Sequence, residues 1–486
     1  MNITVFSWRR ASRWPVVVLL AISLASLPVM PRSSWALSIS DEKTLGKKVL
    51  DQVRERMPLI EDGEIVTYVQ SVGNKIVEVI GTTLYDYQFF VIDRPDVNAF
   101  AVPGGYVFLY RGLIEILHSE GAMASIIGHE LAHIQARHVE RTIQQGRVLN
   151  ISTILGALAG AFLGLGGNAA SAIMMGSVAG AQSMQLKYSR ENEEEADQLG
   201  FRFVSDAGYD PIHIVNALQA LNQQRFPSSS SVPSYLLTHP QTTERIQYLQ
   251  VMVQDYHRKN PAAKKKAAPT DEEFAFVRAA LVSEYSDRDK AMERLQSELR
   301  QGNDAAAYGI GRLLLRQGQT DQAIEQLQES ASRHPNSPLV LSTLGSAYYR
   351  AGRLSEAERA LKSALLLDPA STSARLRLAL VYKDQSRNED ALKNLQQIDK
   401  FAPSFPEIDY HLGVLLGQMN QLGLAHYHLG RFHQHHRDTK TAIFHYSKAR
   451  VLLKGEPEKL NEIETELKEL DEKAKKKLAD SRSERS

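Results

Sequence analysis

A recurrence of thirty-four residues constrains the carboxy-terminal half of the chain more than any other feature. Leu344-Gly345, Tyr348, Ala357, Leu361, Ala364 and Pro369 reappear one step later as Leu378-Ala379, Tyr382, Ala391, Leu395 and Pro403, and one step earlier as Ile310-Gly311, Ala323, Leu327 and Pro335. A period of this length is one pair of helices: small residues let the partners approach, and a proline ends the second helix. No single pair can bury its apolar face, so the pairs stack into a superhelix. Its concave groove holds peptides or partner proteins and carries no chemistry of its own.

These spacings are the tetratricopeptide pattern. Leu412-Gly413 and Ala425 keep the period, but Leu429-Gly430, Ala442, Tyr446 and Ala449 fit a unit in a different register, so the array is expected to be irregular. Thr270 to Arg300 supplies an earlier helical pair, with Ala291 as its small residue. The histidines at 426, 428, 433, 435 and 436 read as surface residues of repeat helices. Glu and Lys dominate from Lys454 onward, which predicts a solvated last helix and tail.

Chemistry is carried by a different stretch, His129-Glu130-Leu131-Ala132-His133, inside an apolar run without proline. On a helix, residues four apart share a face, so both imidazoles reach one metal ion while Glu130 points at the neighbouring coordination position. Two neutral imidazoles leave the charge of a zinc ion largely uncompensated. A water there becomes acidic, and Glu130 is placed to take its proton as general base during attack on a carbonyl. A third ligand is required. His138 stands one residue early for a third histidine of the extended zincin pattern, and reads as a surface or structural residue. The run Glu191-Asn192-Glu193-Glu194-Glu195-Ala196-Asp197 offers a carboxylate instead. Glu193 and Asp197 share a face, so Glu193 could bind zinc while Asp197 orients a histidine; Glu194 competes for the ligand role.

The chain resembles the gluzincin peptidases of the CAAX prenyl protease and HtpX type. The likeness covers roughly residues 40 to 255 and rests on the two motifs above plus Asn98-Ala99-Phe100-Ala101-Val102-Pro103-Gly104-Gly105. It implies one Zn2+ per chain held by His129, His133 and Glu193. It also implies a strand beside the metal, with Asn98, Ala99, Phe100, Gly104 and Gly105, that pairs with an extended substrate; otherwise Pro103-Gly104-Gly105 is only a turn. Thr238-His239-Pro240, with Arg245 after it, also occurs in the family. His239 then either binds the metal as a fourth ligand and latches the enzyme, or stabilises the oxyanion. A peptidase followed by repeats further resembles proteases that attend outer-membrane protein assembly in the periplasm. That likeness implies misfolded or stalled protein substrates and docking to the barrel assembly machinery through the repeats.

Arg9, Arg10 and Arg13 precede an uncharged run from Pro15 to Pro31, and Ser34-Trp35-Ala36 has the small residues a signal peptidase needs, so 1 to 36 reads as a cleavable signal peptide and the location as the periplasm. The chain has no cysteine, which excludes disulfides and thiolate metal ligands. Fifty-seven Lys and Arg against 56 Asp and Glu give a formal net charge of +1, which argues against a nucleic-acid partner. Val148 to Leu186 holds no charge at all. It is expected either as a lid of two short helices or as a peripheral membrane contact.

The expected architecture is an α+β, mainly α, zincin-like domain over 37 to 257, with helices at Asp41 to Leu59 and Glu64 to Ile80 and strands at Tyr87 to Asp93 and Ala99 to Tyr110. A linker over 258 to 270 contains Lys264-Lys265-Lys266. An all-α repeat superhelix over 271 to 453 and a charged tail over 454 to 486 follow. The function expected is zinc-dependent endoproteolysis; the other reading is a chaperone-like repeat scaffold whose metal site is latched or silent.

Overall fold

The computed structural model describes residues 38–145, 188–223, 234–240, 243–261, 270–401 and 406–483. The expected signal peptide, the uncharged stretch Val148 to Leu186, the serine-rich loop at Ser228 to Ser231 and the lysines of the expected linker lie outside the described residues. Among those described, no helix is long and apolar enough to cross a membrane.

Alternation along three short strands divides the amino-terminal domain into two cores. β1 (Gln88–Ile92), β2 (Ala99–Val102) and β3 (Tyr106–Tyr110) form a sheet in the order β1-β3-β2, with β1 parallel and β2 antiparallel to β3. Successive side chains leave opposite faces. Ile92, Phe100, Val102, Phe108 and Tyr110 pack with Leu45, Val49, Leu50 and Val53 of α1 (Ile39–Arg56). Phe89, Val91, Ala99, Ala101, Val107 and Leu109 face the main core, to which α2 (Gly63–Ile80) contributes Ile65, Val69, Val72 and Ile76. β3 runs directly into the short α3 (Arg111–Ile116), and α4 (Glu120–Gln135) then lies against β2, where Ala99 and Ala101 leave room for it.

Pro103-Gly104-Gly105 is a turn, with both glycines in the left-handed region at φ of 91° and 97°. α1 meets this turn at Gly46, where a Cβ would stand 1.9 Å from the Pro103 carbonyl oxygen. β2 has a strand neighbour on one side only among the described residues, so its other backbone edge faces away from the sheet. All four of its side chains are buried, so an extended peptide would meet it through the backbone.

The repeat domain is a succession of helices: α10 (Thr270–Tyr285), α11 (Arg288–Arg300), α12 (Ala305–Arg316), α13 (Thr320–Arg333), α14 (Pro338–Arg350), α15 (Leu354–Leu367), α16 (Thr372–Asp384), α17 (Asn388–Phe401), α18 (Pro406–Gln418), α19 (Leu422–His435) and α20 (Thr439–Leu452). The period appears as a repeated contact, in which Gly311 faces Leu327, Gly345 faces Leu361 and Gly413 faces Leu429. Gly430 then faces Tyr446. Neighbouring residues of α19 therefore serve two partners, Leu429 toward α18 and Gly430 toward α20, which is why the last unit reads in a shifted register. The helix expected to be solvated, α21 (Pro457–Ser483), buries Ile463, Leu467 and Leu470 against Tyr427 and Tyr446, so one face belongs to the repeat core.

One apolar core runs through both domains, and charge ties them as well. Arg312 of α12 reaches Asp62 Oδ2 and Glu64 Oε2, both at 2.9 Å, and Ser342 donates to Glu64 Oε1 at 2.8 Å. Arg294 pairs with Glu115 at 2.7 Å. A second, exposed contact joins Arg437 to Glu55 at 2.8 Å.

Candidate metal centre

α4 carries both histidines and Glu130. Ser119 caps it by accepting from the Ala122 amide at 3.1 Å, and Glu120 in its first turn accepts from the hydroxyls of Tyr68 and Tyr209 at 2.5 and 2.7 Å. Its apolar sequence suits it to burial on all sides, and His129, Glu130 and His133 are 6%, 0% and 1% exposed. The facing helix, α6 (Arg190–Asp206), is capped by Ser189 and turns Glu193, Asp197, Gly200 and Val204 inward. Gly200 is what lets the two helices close: a Cβ there would lie 3.2 Å from the His129 Cα and amide nitrogen. Glu194 is exposed, so burial separates the two candidate ligands in favour of Glu193.

A third element completes the group. α8 (Ser234–Thr238), which comes after α7 (Ile212–Gln223) in the chain, is tied to the residues before β2 by the Tyr235 amide on the Val97 carbonyl at 3.3 Å, and it delivers His239, fully buried and stacked on Tyr235 at 4.5 Å. One ligand atom from each of His129, His133, Glu193 and His239 lies within 4.8 Å of the others. The separations include 3.1 Å between His129 Nε2 and His133 Nε2, 3.4 Å from His129 Nε2 to His239 Nδ1, 3.0 Å from His239 Nδ1 to Glu193 Oε1 and 3.5 Å from His133 Nε2 to Glu193 Oε1. Ligands at zinc distances of about 2.0–2.1 Å in a tetrahedron stand roughly 3.3 Å apart, so the group fits that ion. Among the described residues, both carboxylate oxygens of Glu130, and His239 Nε2, are buried with no hydrogen-bond partner, a costly arrangement for groups that do not serve a ligand. Glu130 Oε1 stands 3.6 Å from His239 Nε2.

Asp197 accepts from His129 Nδ1 at 3.1 Å and is gripped by Arg245 of α9 (Thr243–Lys259), with Nε on Oδ2 at 2.6 Å and Nη2 on Oδ1 at 2.7 Å. Arg245 Nη1 also meets Glu193 Oε2 at 2.6 Å, and Tyr248 donates to Asp197. Burial works against charge on His129, but Asp197 and Glu193 outweigh it and raise its pKa to about 9. His133, buried beside that charge, is held well below the usual range. For Glu193 burial favours the neutral acid, yet the neighbouring His239 and His129 overcome it and keep its pKa low. The pocket is thus built to hold positive charge against carboxylates.

Two further side chains pack on the group. Of the two readings given to His138, surface or structural, the second holds: it is 0% exposed, and its Nδ1 meets His133 Nδ1 at 2.9 Å. The reason is Arg137, whose φ of 55° breaks the helix so that α5 (His138–Gln145) turns back on the metal group. Tyr188 stacks on His133 at 3.9 Å, and its hydroxyl is also buried without a hydrogen-bond partner among the described residues. Of the remaining expected residues, Asn98 is buried just before β2, Ala99 and Phe100 begin that strand, and Gly104 and Gly105 form the turn after it. In the repeats, His426 Nδ1 meets His445 Nδ1 at 2.9 Å and His428 pairs with Asp409 at 2.7 Å, both partly buried rather than simply at the surface.

An H-E-x-x-H helix, a glutamate from a second helix and repeats behind them define a metalloprotease with a tetratricopeptide domain. Residues 66–253 match peptidase family M48, and 303–370 and 348–414 match tetratricopeptide repeats. The chain is similar to the beta-barrel assembly-enhancing protease of Yersinia pestis, 27% identical over 78% of this chain and 78% of that protein. It is also similar to the protein of the same name from Escherichia coli, 29% identical over 68% of this chain and 66% of that one. The mitochondrial metalloendopeptidase OMA1 of Schizosaccharomyces pombe is 30% identical over 42% of this chain and 57% of its own length.

Proposed function

We propose that the chain is a zinc endopeptidase of the periplasm that acts on misfolded or stalled outer-membrane proteins and is held in a latched state by His239. The observation that carries this reading is the convergence of His129, His133, Glu193 and His239 around one point, with the Glu130 carboxylate, which has no hydrogen-bond partner among the described residues, beside it. Zinc bound there would supply Lewis acidity, polarising a peptide carbonyl and lowering the pKa of a water. Glu130 would take the proton of that water and return it to the leaving amine. Asp197, held by Arg245, orients His129. The outer edge of β2, which has no strand neighbour among the described residues, would align an extended substrate by backbone pairing. Four protein ligands close a coordination sphere, as in a structural site, and so favour a latch over an open enzyme.

Three of the ligands come from helices packed in the core, whereas His239 follows the five-residue α8. It is therefore the ligand that can leave with least loss of packing. The repeats would recruit substrate or the barrel assembly machinery. A cleft of about 830 Å³ between α18, α19 and α21, lined by Asp409, His428, Arg431, Lys459 and Glu462, offers a surface for that role. The names of the relatives support a link to beta-barrel assembly. The test is casein cleavage by wild type, His239→Ala and the double variant His239→Ala with Glu130→Gln. A latched protease predicts a several-fold rise in the single variant and none in the double; loss of cleavage in His239→Ala refutes the latch and favours the oxyanion role.

A further inference from the structure

The two histidines of α4 are oriented by different devices, and the second reaches the surface. His129 Nδ1 is met by the buried carboxylate of Asp197. His133 Nδ1 is met instead by His138 Nδ1 at 2.9 Å, while His138 Nε2 stands 3.2 Å from Glu195 Oε2. Glu195, 40% exposed, accepts from Arg141 Nη1 at 2.6 Å.

Hydrogen-bond chemistry fixes the protons in this chain. A carboxylate paired with a guanidinium only accepts, so His138 Nε2 is the nitrogen that carries hydrogen. A neutral imidazole carries one, so His138 Nδ1 is an acceptor. The atom it faces, His133 Nδ1, must then donate. That leaves the lone pair of His133 on Nε2, the nitrogen directed at His129 and Glu193. Which nitrogen of a histidine is available to a metal is set by the bond its other nitrogen makes.

We infer that His138 is a positioning residue for the metal site: together with Glu195 it locks His133 into the tautomer that offers Nε2 to the ion. The inference rests on the metal-site reading but is separable from it, because the tautomer is defined in the metal-free protein. His138 and Glu195 lie on different helices, α5 and α6, so the lock also ties both to the ligand.

The experiment uses the full chain and three variants. His138→Phe keeps the ring and removes the acceptor; His138→Asn restores an acceptor oxygen near the position of Nδ1; Glu195→Gln alters only the partly exposed end. Two readouts are taken: the tautomer of His133 from nitrogen-15 imidazole shifts in the metal-free protein, and zinc affinity from competition with a chromophoric chelator. Wild type should show a single Nδ1–H form of His133. His138→Phe should show mixed tautomers and bind zinc about 10–100-fold more weakly, as loss of such a partner typically does. His138→Asn should recover most of that loss, and Glu195→Gln should shift the tautomer balance without disturbing the fold. Zinc affinity within twofold of wild type in folded His138→Phe, or no recovery in His138→Asn, overturns the inference. Should wild type bind no zinc, the metal reading fails, and a mixed His133 in that same protein would overturn the lock as well. If His138→Phe fails to fold, an unchanged tautomer in Glu195→Gln refutes it.

Discussion

Replacing Arg245 by Met tests how the site is held before any metal enters it. Arg245 is 5% exposed and bridges two buried carboxylates, at 2.6 Å to Glu193 and at 2.6 and 2.7 Å to Asp197. Met fills the space of the stem and removes only the charge and its donors. Breaking one buried pair by deleting a partner costs about 3–5 kcal/mol, because the remaining charge stays buried and unpaired. The two pairs share one guanidinium and do not add independently, so the expected loss in the metal-free protein is about 3–5 kcal/mol rather than twice that. A bound cation would return a counter-charge to Glu193, so the loss should shrink by at least about 1 kcal/mol when zinc is present. Urea unfolding followed by circular dichroism, with chelator and with zinc, measures both values. Arg245→Lys should recover part of the loss, since a single ammonium cannot grip Asp197 with two donors. A loss below about 1 kcal/mol without metal, or equal losses with and without zinc, would refute the reasoning.

Further expectations follow from other parts of the molecule. Gly200→Ala forces a Cβ to 3.2 Å from the backbone of α4; overpacking of about 1–3 kcal/mol, partly offset by the better helix propensity of Ala, should give a small net destabilisation, with weaker zinc binding read by chelator competition. Burial and the nearby Asp368 and Glu120 push the Glu273 carboxyl from 4.5 up to about 7. The unfolded chain then loses this proton first, so stability falls as pH rises from about 4.5 to about 7 and is level above. Glu273→Gln should therefore gain stability over wild type at pH 8 relative to pH 4, and an equal difference at both values contradicts the assignment. Arg312→Ala, which strands Asp62 and Glu64 at the domain junction, should cost about 3–5 kcal/mol. The exposed Arg437–Glu55 pair should be worth no more than about 1 kcal/mol in Arg437→Ala, measured by the same unfolding assay.

What was legible in the sequence follows from how local each signal is. The pairing of His129 with His133, and of Glu193 with Asp197, needs only the helical spacing of four residues. The repeats are legible because each small residue meets its leucine at a constant offset. Glu193 could not be separated from Glu194 by spacing, since neighbours on one helix differ in burial and not in type. For His138 the surface and structural readings could not be separated, because five residues do not share a face of an unbroken helix; the left-handed Arg137 that brings it back carries no side-chain signature. Its partner Glu195 sits in an acidic run that reads as solvated. The domain junction was equally silent, because Asp62, Glu64 and Arg312 are ordinary charges until the fold buries them together. The shifted last repeat was visible, but its cause, one helix using adjacent residues toward two neighbours, needed the packing.

If this group of side chains binds zinc for proteolysis, bound zinc per chain and casein cleavage, measured on the same preparations of Glu130→Gln and its parent, each in the His239→Ala background, should separate binding from catalysis. Zinc is expected in both proteins and cleavage only where Glu130 is intact. Equal cleavage by the two, or no zinc in either, would refute zinc-dependent proteolysis at this site.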